Sequence, residues 1–162
     1  VKKKIVNADQ LAAIAAEMRD KGRKLVLTNG CFDLLHIGHV RYLESARALG
    51  DALAVAINGD ESVRALKGEG RPLNNEMDRA EVIAALECVD HVIVFAEVRA
   101  TQLLEKVRPA IYVKGGDYTP ETLHAEERAA LTRGEAEIRI LPFEQGHSTS
   151  KLIEKISRIR VA

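Results

Sequence analysis

The sequence predicts an α/β fold: a Rossmann-like, doubly wound, five-stranded parallel sheet with helices on both faces. Three observations predict it. Short apolar runs alternate with helix-patterned segments five times along the 162 residues. Most of those runs are continuously apolar, as strands covered on both faces must be. No repeat, low-complexity tract or linker interrupts the alternation, so residues 1–162 are expected to form a single domain.

Each element has its own signal. Asn7 and Gln10 stand like a capping box, and Leu11, Ile14, Ala15 and Met18 recur at helical spacing until Gly22. Lys24 to Thr28 (KLVLT) is the first strand. A helix from about Gly38 to Leu49 follows a loop, and Asp51 to Ile57 (DALAVAI) is the second strand. A short helix over Glu61 to Leu66 leads into Lys67-Gly-Glu-Gly-Arg71-Pro72, whose charges, glycines and proline read as a mobile loop. Asn74 or Asn75 caps a helix reaching Glu87. His91 to Phe95 is the third strand, Thr101 to Val107 a helix, and Ala110 to Val113 the fourth strand. A helical stretch near Ala125 to Leu131 ends by Gly134. Ile138 to Leu141 is the fifth strand, and Ser148 caps a last helix.

Composition narrows the function. Lys plus Arg number 24 and Asp plus Glu number 24, for a formal net charge of zero. That balance argues against nucleic acid as a partner, which selects for a basic surplus. No apolar run approaches the roughly 18 residues that span a bilayer, and Lys2-Lys3-Lys4 leads into a polar pattern rather than a secretory apolar segment. A cytoplasmic protein with no membrane partner is expected. Cys31 and Cys88 lie far apart without CxxC spacing, which argues against a disulfide framework or zinc ribbon.

In doubly wound sheets ligands bind beyond the carboxyl ends of the strands. The loops after strands one, two, four and five are therefore the places to look. Neither GxGxxG nor GxxxxGK[ST] occurs there, which disfavours a dehydrogenase or a P-loop enzyme. After strand one stands Asn29-Gly-Cys-Phe-Asp-Leu-Leu-His36-Ile-Gly38-His39. Two histidines three residues apart at a helix start share a side and add their N–H groups to the free amides and positive dipole end of that helix. Gly38 leaves room for a phosphate to approach the backbone. No cysteine or carboxylate cluster nearby completes a metal-ligand set, so no metal site from protein side chains alone is expected.

The pattern Gly30-x-Phe32-Asp33-x-x-His36-x-Gly38-His39 resembles the GxFDxxHxGH signature of the nucleotidylyltransferase superfamily. Gly146-His147-Ser148-Thr149-Ser150 is similar to that superfamily's second signature, an ISTT-like segment opening a late helix; His147 replaces the usual Ile and Ser150 the second Thr. A closer resemblance covers nearly the whole chain. Thr28 to Asp33, Leu66-Lys67-Gly68 with Arg71-Pro72-Leu73-Asn74, Ala85 to Asp90, and Val113 to Tyr118 resemble the adenylyltransferases of ADP-heptose synthesis. That activity is often fused behind a heptose kinase; at 162 residues this chain looks like the stand-alone form, with a separate kinase as pathway partner.

The resemblance implies transfer of AMP from ATP to a heptose 1-phosphate, giving ADP-heptose and pyrophosphate for lipopolysaccharide or another surface glycoconjugate. Mg²⁺ would accompany the ATP. A cytidylyltransferase acting on glycerol 3-phosphate is the alternative, and a non-catalytic nucleotide-binding module is a third reading. Similar proteins often form dimers, so a homodimer is expected. The expected catalytic residues are His36, His39 and Lys67. Cys31, Phe32, Gly38, Arg79, Phe143, Gly146, Ser148, Thr149 and Ser150 are expected to hold the nucleotide. Asp33, Arg71, Lys114, Gly115 and Asp117 are expected on the substrate side.

Some of these residues have other readings. Asp33 is a candidate to orient the histidine loop by bonding its backbone. Lys67 and Arg71 are either triphosphate contacts or solvated loop charges. Arg79 is either near the nucleotide or in a surface ion pair, and Asp117 either meets hydroxyls or caps a turn. Ser148 to Ser150 either face phosphate or merely cap their helix.

Overall fold

The structure is a computed structural model that describes residues 1–116, 119–142 and 148–159. Its elements run α1 (Ala8–Asp20), β1 (Leu25–Gly30), α2 (Ile37–Arg47), β2 (Ala52–Asn58), α3 (Asp60–Lys67), α4 (Glu76–Ala84), β3 (His91–Phe95), α5 (Thr101–Val107), β4 (Ile111–Gly115), α6 (Ala125–Arg133), β5 (Glu137–Leu141) and α7 (Thr149–Ser157). All five strands are parallel, in the order β3-β2-β1-β4-β5. The chain winds outward from β1 to β3, then returns to place β4 on the other side of β1. The order therefore switches between β1 and β4, and the crevice that this creates lies beyond Gly30 and Gly115.

Side chains alternate across the strands, and the two series fill two cores. Leu25, Leu27, Ala54, Ala56 and Tyr112 face a core closed by α1, α5 and α6 through Leu11, Ala15, Leu103, Leu104 and Leu131. Val26, Leu53, Val55, Ile57 and Val113 face the opposite core, closed by α2 and α4 through Leu43, Ala46, Ala80 and Ile83. Each buried Leu or Ile side chain contributes about 1.5–3 kcal/mol of transfer free energy, so the continuous apolar runs of β1 and β2 are what fixes the centre of the sheet.

Local signals hold at most boundaries. Asn7 and Gln10 form a reciprocal capping box at α1, and the Asn75 side chain accepts from the Met77 and Asp78 amides at α4. Three details differ from the sequence reading. Helix α4 ends at Ala84, because the chain turns through Leu86 and Val89 to deliver the Asp90 N–H to Leu53 O at 3.0 Å. Lys67 is the last residue of α3, not part of the loop; the helix stops at Gly68, whose φ of +92° favours glycine. Lys2–Lys4 form a 3₁₀ turn, and Ile5 then makes a parallel bridge to Val92 on the outer edge of β3. Among the described residues, no helix is long and apolar enough to cross a membrane.

Candidate active site

The carboxyl ends of β1, β2 and β4 open into a cleft of about 520 Å³. Its central feature is the loop from β1 to α2. Phe32 sits there at a φ of +46°, a left-handed conformation that is strained for a bulky side chain. The turn buries the Phe32 ring and sets it edge-on to His39, with ring centroids 5.5 Å apart. Gly30 permits this: a Cβ there would meet the Phe32 ring at 2.9 Å.

His36 is the N-cap of α2 and His39 lies in its first turn. Their rings stack at 3.9 Å between centroids. The His36 N–H donates to His39 Nδ1 at 3.4 Å. Burial, and secondarily the neighbouring His36, pull the His39 pKa down to about 4. His39 is therefore a neutral imidazole near pH 7. Because Nδ1 accepts, its proton belongs on Nε2, which makes His39 a hydrogen-bond donor.

Two buried charges brace the loop. The Asp33 carboxylate is 0% exposed and accepts from Arg71 Nε at 2.6 Å. It also accepts from the Leu73 and Asn74 amides at 2.8 and 3.0 Å, while Asn74 Nδ2 donates to Asp33 O at 2.9 Å. Burial alone would raise its pKa, but the Asn74 and Leu73 amides and Arg71 outweigh that and hold it below the usual range. The Asp33 carboxylate thus bonds the backbone of the segment after α3 rather than that of the histidine loop, and so ties the two segments together. Arg79, with a side chain only 1% exposed, donates to Asn74 O, Cys31 O and Asp60 Oδ1 at 3.0, 2.6 and 2.7 Å. Its guanidinium joins two loops and the start of α3 and does not line the cleft.

Most of the expected site residues meet in this cleft. Cys31, Phe32, Asp33, His36, Gly38, His39, Lys67, Arg71, Lys114, Gly115, Ser148, Thr149 and Ser150 all line it. Helix α7 arrives with its N-terminus toward the histidine loop: Ser148 Oγ accepts from the Lys151 amide, and Thr149 Oγ1 donates to Leu34 O at 3.2 Å. Burial pushes the Cys31 thiol pKa up despite nearby Lys67, Arg79 and Arg71, so this cysteine is a poor nucleophile. Phe143, Gly146 and Asp117, with His147 and Tyr118, lie outside the described residues.

The cleft also contains residues that the sequence reading passed over. Asn29 Oδ1 accepts from Tyr112 OH at 2.6 Å and from Lys114 Nζ at 3.3 Å. Tyr42 OH lies 2.7 Å from Thr28 Oγ1 and donates to Val113 O at 3.3 Å, fastening α2 to β1 and β4. Asn58 donates to Ser62 Oγ at 2.7 Å. Val98 and Arg99 come from the loop after β3, the one strand end left out of the expected set. Alternation along β1 was the available signal for Asn29; nothing local marks Arg99.

Among the described residues, no group of three His, Cys, Asp or Glu side chains could hold a metal ion. Among the described residues, the carboxylate that lines the cleft, Asp33, is committed to N–H donors. A second hollow of about 320 Å³ opens at the amino ends of β2 and β3. Its Asp51 accepts from the Lys24 amide, and its Asp90 from the Leu53 amide and Arg47. Both carboxylates are structural.

Residues 27–155 match the cytidylyltransferase-like family model. The chain belongs to the cytidylyltransferase-like family. It is a nucleotidyltransferase. The chain is 48% identical over 155 residues to the bifunctional protein HldE of Geobacter metallireducens and 50% identical over 153 residues to that of Geotalea uraniireducens. These alignments cover 96% and 94% of this chain, which spans about a third of the relatives, 31% of each. Among solved structures, a lipopolysaccharide core biosynthesis protein from Thermoplasma volcanium superposes with a TM-score of 0.63 at 28% identity, covering 78% of this chain and 100% of that one. A pantoate-beta-alanine ligase from Francisella tularensis shares the fold, with a TM-score of 0.58 at 14% identity over 96% of this chain and 78% of its own.

Proposed function

We propose that the chain transfers AMP from ATP to a heptose 1-phosphate, releasing pyrophosphate. The observation that carries this reading is the neutral His39 donor, stacked on His36 at the N-terminus of α2 and facing a cleft rimmed by Lys67, Arg71 and Lys114. A phosphate oxygen of the sugar attacks the α-phosphorus of ATP in line, and the bond to the bridging oxygen breaks. The electron pair leaves with pyrophosphate. The second pKa of a phosphate monoester is about 6, so the attacking oxygen is already unprotonated at pH 7 and no general base is required. Positioning and charge stabilisation supply the catalysis.

In this reading His36, His39 and Lys67 take the negative charge that grows on the leaving pyrophosphate. The amides at the start of α2 and α7, with Ser148, Thr149 and Ser150, hold the nucleotide phosphates. Gly38, Phe32 and Cys31 shape the nucleotide side, Arg79 keeps that loop in place, and Lys114 and Gly115 meet the acceptor. Mg²⁺ neutralises the triphosphate when bound. The heptose assignment is supported by the motifs shared with heptose 1-phosphate adenylyltransferases and by the HldE relatives. The family description favours a second reading, CTP with glycerol 3-phosphate. Pyrophosphate release measured with ATP and CTP against both acceptors separates them. Release with ATP and heptose 1-phosphate is expected; release only with CTP would overturn the assignment.

A further inference from the structure

The cleft has two walls of different chemistry, set on opposite faces of the sheet. The histidines open α2, which packs through Leu43 and Ala46 in the core shared with Val26 and Val113. Asn29 and Lys114 lie two residues beyond Leu27 and Tyr112 on their strands and so continue the other series, toward the α5 and α6 face. Arg99 precedes Ala100, the N-cap of α5, whose Leu103 and Leu104 pack on that same face. Asn29, Arg99 and Lys114 all line the cleft.

This second wall is built to present donors. The Asn29 amide oxygen is taken up by Tyr112 OH and Lys114 Nζ, which leaves its NH₂ group for the cleft. Burial lowers the Lys114 pKa, Glu127 opposes the fall, and the like charge of Arg99 adds to it. The cation pair is therefore within electrostatic reach. Glu127 is buried, bonds the Ala100 amide at 2.9 Å and does not line the cleft. Among the described residues, what the wall shows to a ligand is positive charge and N–H donors, the chemistry that recognises a phosphate.

We propose that Arg99, Lys114 and the Asn29 amide form the subsite that grips the phosphate of the acceptor, on the wall opposite the histidine pair. The assignment rests on the nucleotidyl-transfer reading above. In-line displacement puts the attacking and leaving oxygens on opposite sides of the α-phosphorus. With the histidine wall holding the departing pyrophosphate, the attacking phosphate must enter from the other wall. Arg99 offers the planar fork that suits a phosphate monoester, and Lys114 and Asn29 fix the depth to which that phosphate descends.

Steady-state kinetics on Arg99→Gln and Arg99→Lys test this. Arg99 is exposed, so both variants are expected to fold. Arg99→Gln should raise the KM of the sugar phosphate about tenfold while moving the KM of ATP by less than about twofold, and Arg99→Lys should recover part of the loss. Equal rises in both KM values, or no rise, would overturn the subsite. Absence of turnover by the wild type with every acceptor would defeat the reaction reading alone. Calorimetric titration with inorganic phosphate then decides the subsite: weaker binding by Arg99→Gln supports it, and equal binding by wild type and variant overturns it.

Discussion

His39 is neutral in the free protein because burial and His36 hold its pKa near 4, and its accepting Nδ1 leaves Nε2–H as the donor. A donor aimed at a developing oxyanion helps the transition state more than the ground state. His39→Ala should therefore lower kcat by about 10²–10³, or roughly 3–4 kcal/mol, with a smaller loss of ATP affinity; kinetics beside calorimetric ATP binding check this. The same pKa sets a pH dependence of stability. The folded value lies below the unfolded value of 6.5, so the neutral form contributes stability that is fully present above pH 6.5 and is lost as pH falls toward 4. The stability gap between wild type and His39→Gln in melting curves should change with pH across that window and level off on either side of it; a gap constant with pH would contradict it. Cys31 works through its backbone, since Arg79 holds its carbonyl oxygen and burial keeps its thiol protonated. Cys31→Ser should retain activity within about tenfold of wild type, measured as pyrophosphate release.

At the scale of elements, the loops carry what the helices and strands position. Asp33 fastens the histidine loop to the segment 71–74 through Arg71 and two amides. Asp33→Asn keeps the shape but removes the charge opposite Arg71, and should cost about 3 kcal/mol in a denaturant titration. It should also raise the KM of ATP as that segment loosens. Lys67 behaves differently because it is exposed at the end of α3: Lys67→Ala should change stability by less than about 0.5 kcal/mol yet slow turnover. The elements themselves were legible because caps and apolar periods are local signals, as at Asn7–Gln10 and Asn75. The partners of Asp33 were not, because nothing in the spacing says which amides forty residues away a buried carboxylate will take. The partners of Arg79 were hidden for the same reason: a basic residue on an amphipathic helix looks alike from the sequence whether it faces ligand or locks neighbouring segments. Arg99 became visible only when the strand order brought the loop after β3 around to the cleft.

For the whole molecule, zero net charge conceals a strong internal asymmetry. The 24 basic and 24 acidic residues balance, but among the described residues Lys67, Arg99 and Lys114 converge on one cleft whose carboxylate, Asp33, is paired with Arg71. Low-dielectric walls focus such a field outward along the opening, and focused fields raise the encounter rate of an oppositely charged ligand by about 10–10³. Salt screens this long-range part, because the Debye length falls from about 30 Å at 0.01 M to about 8 Å at 0.15 M. The two cores that hold the sheet together are apolar and feel no such screening. Raising ionic strength over that range should therefore lower kcat/KM for the nucleotide several-fold while leaving kcat and the melting temperature nearly unchanged. Arg99→Gln should flatten the salt dependence for the sugar phosphate, since it removes one of the cations that generate the field. A salt response carried by kcat, or by the melting temperature, would place the electrostatics in the fold rather than in the cleft.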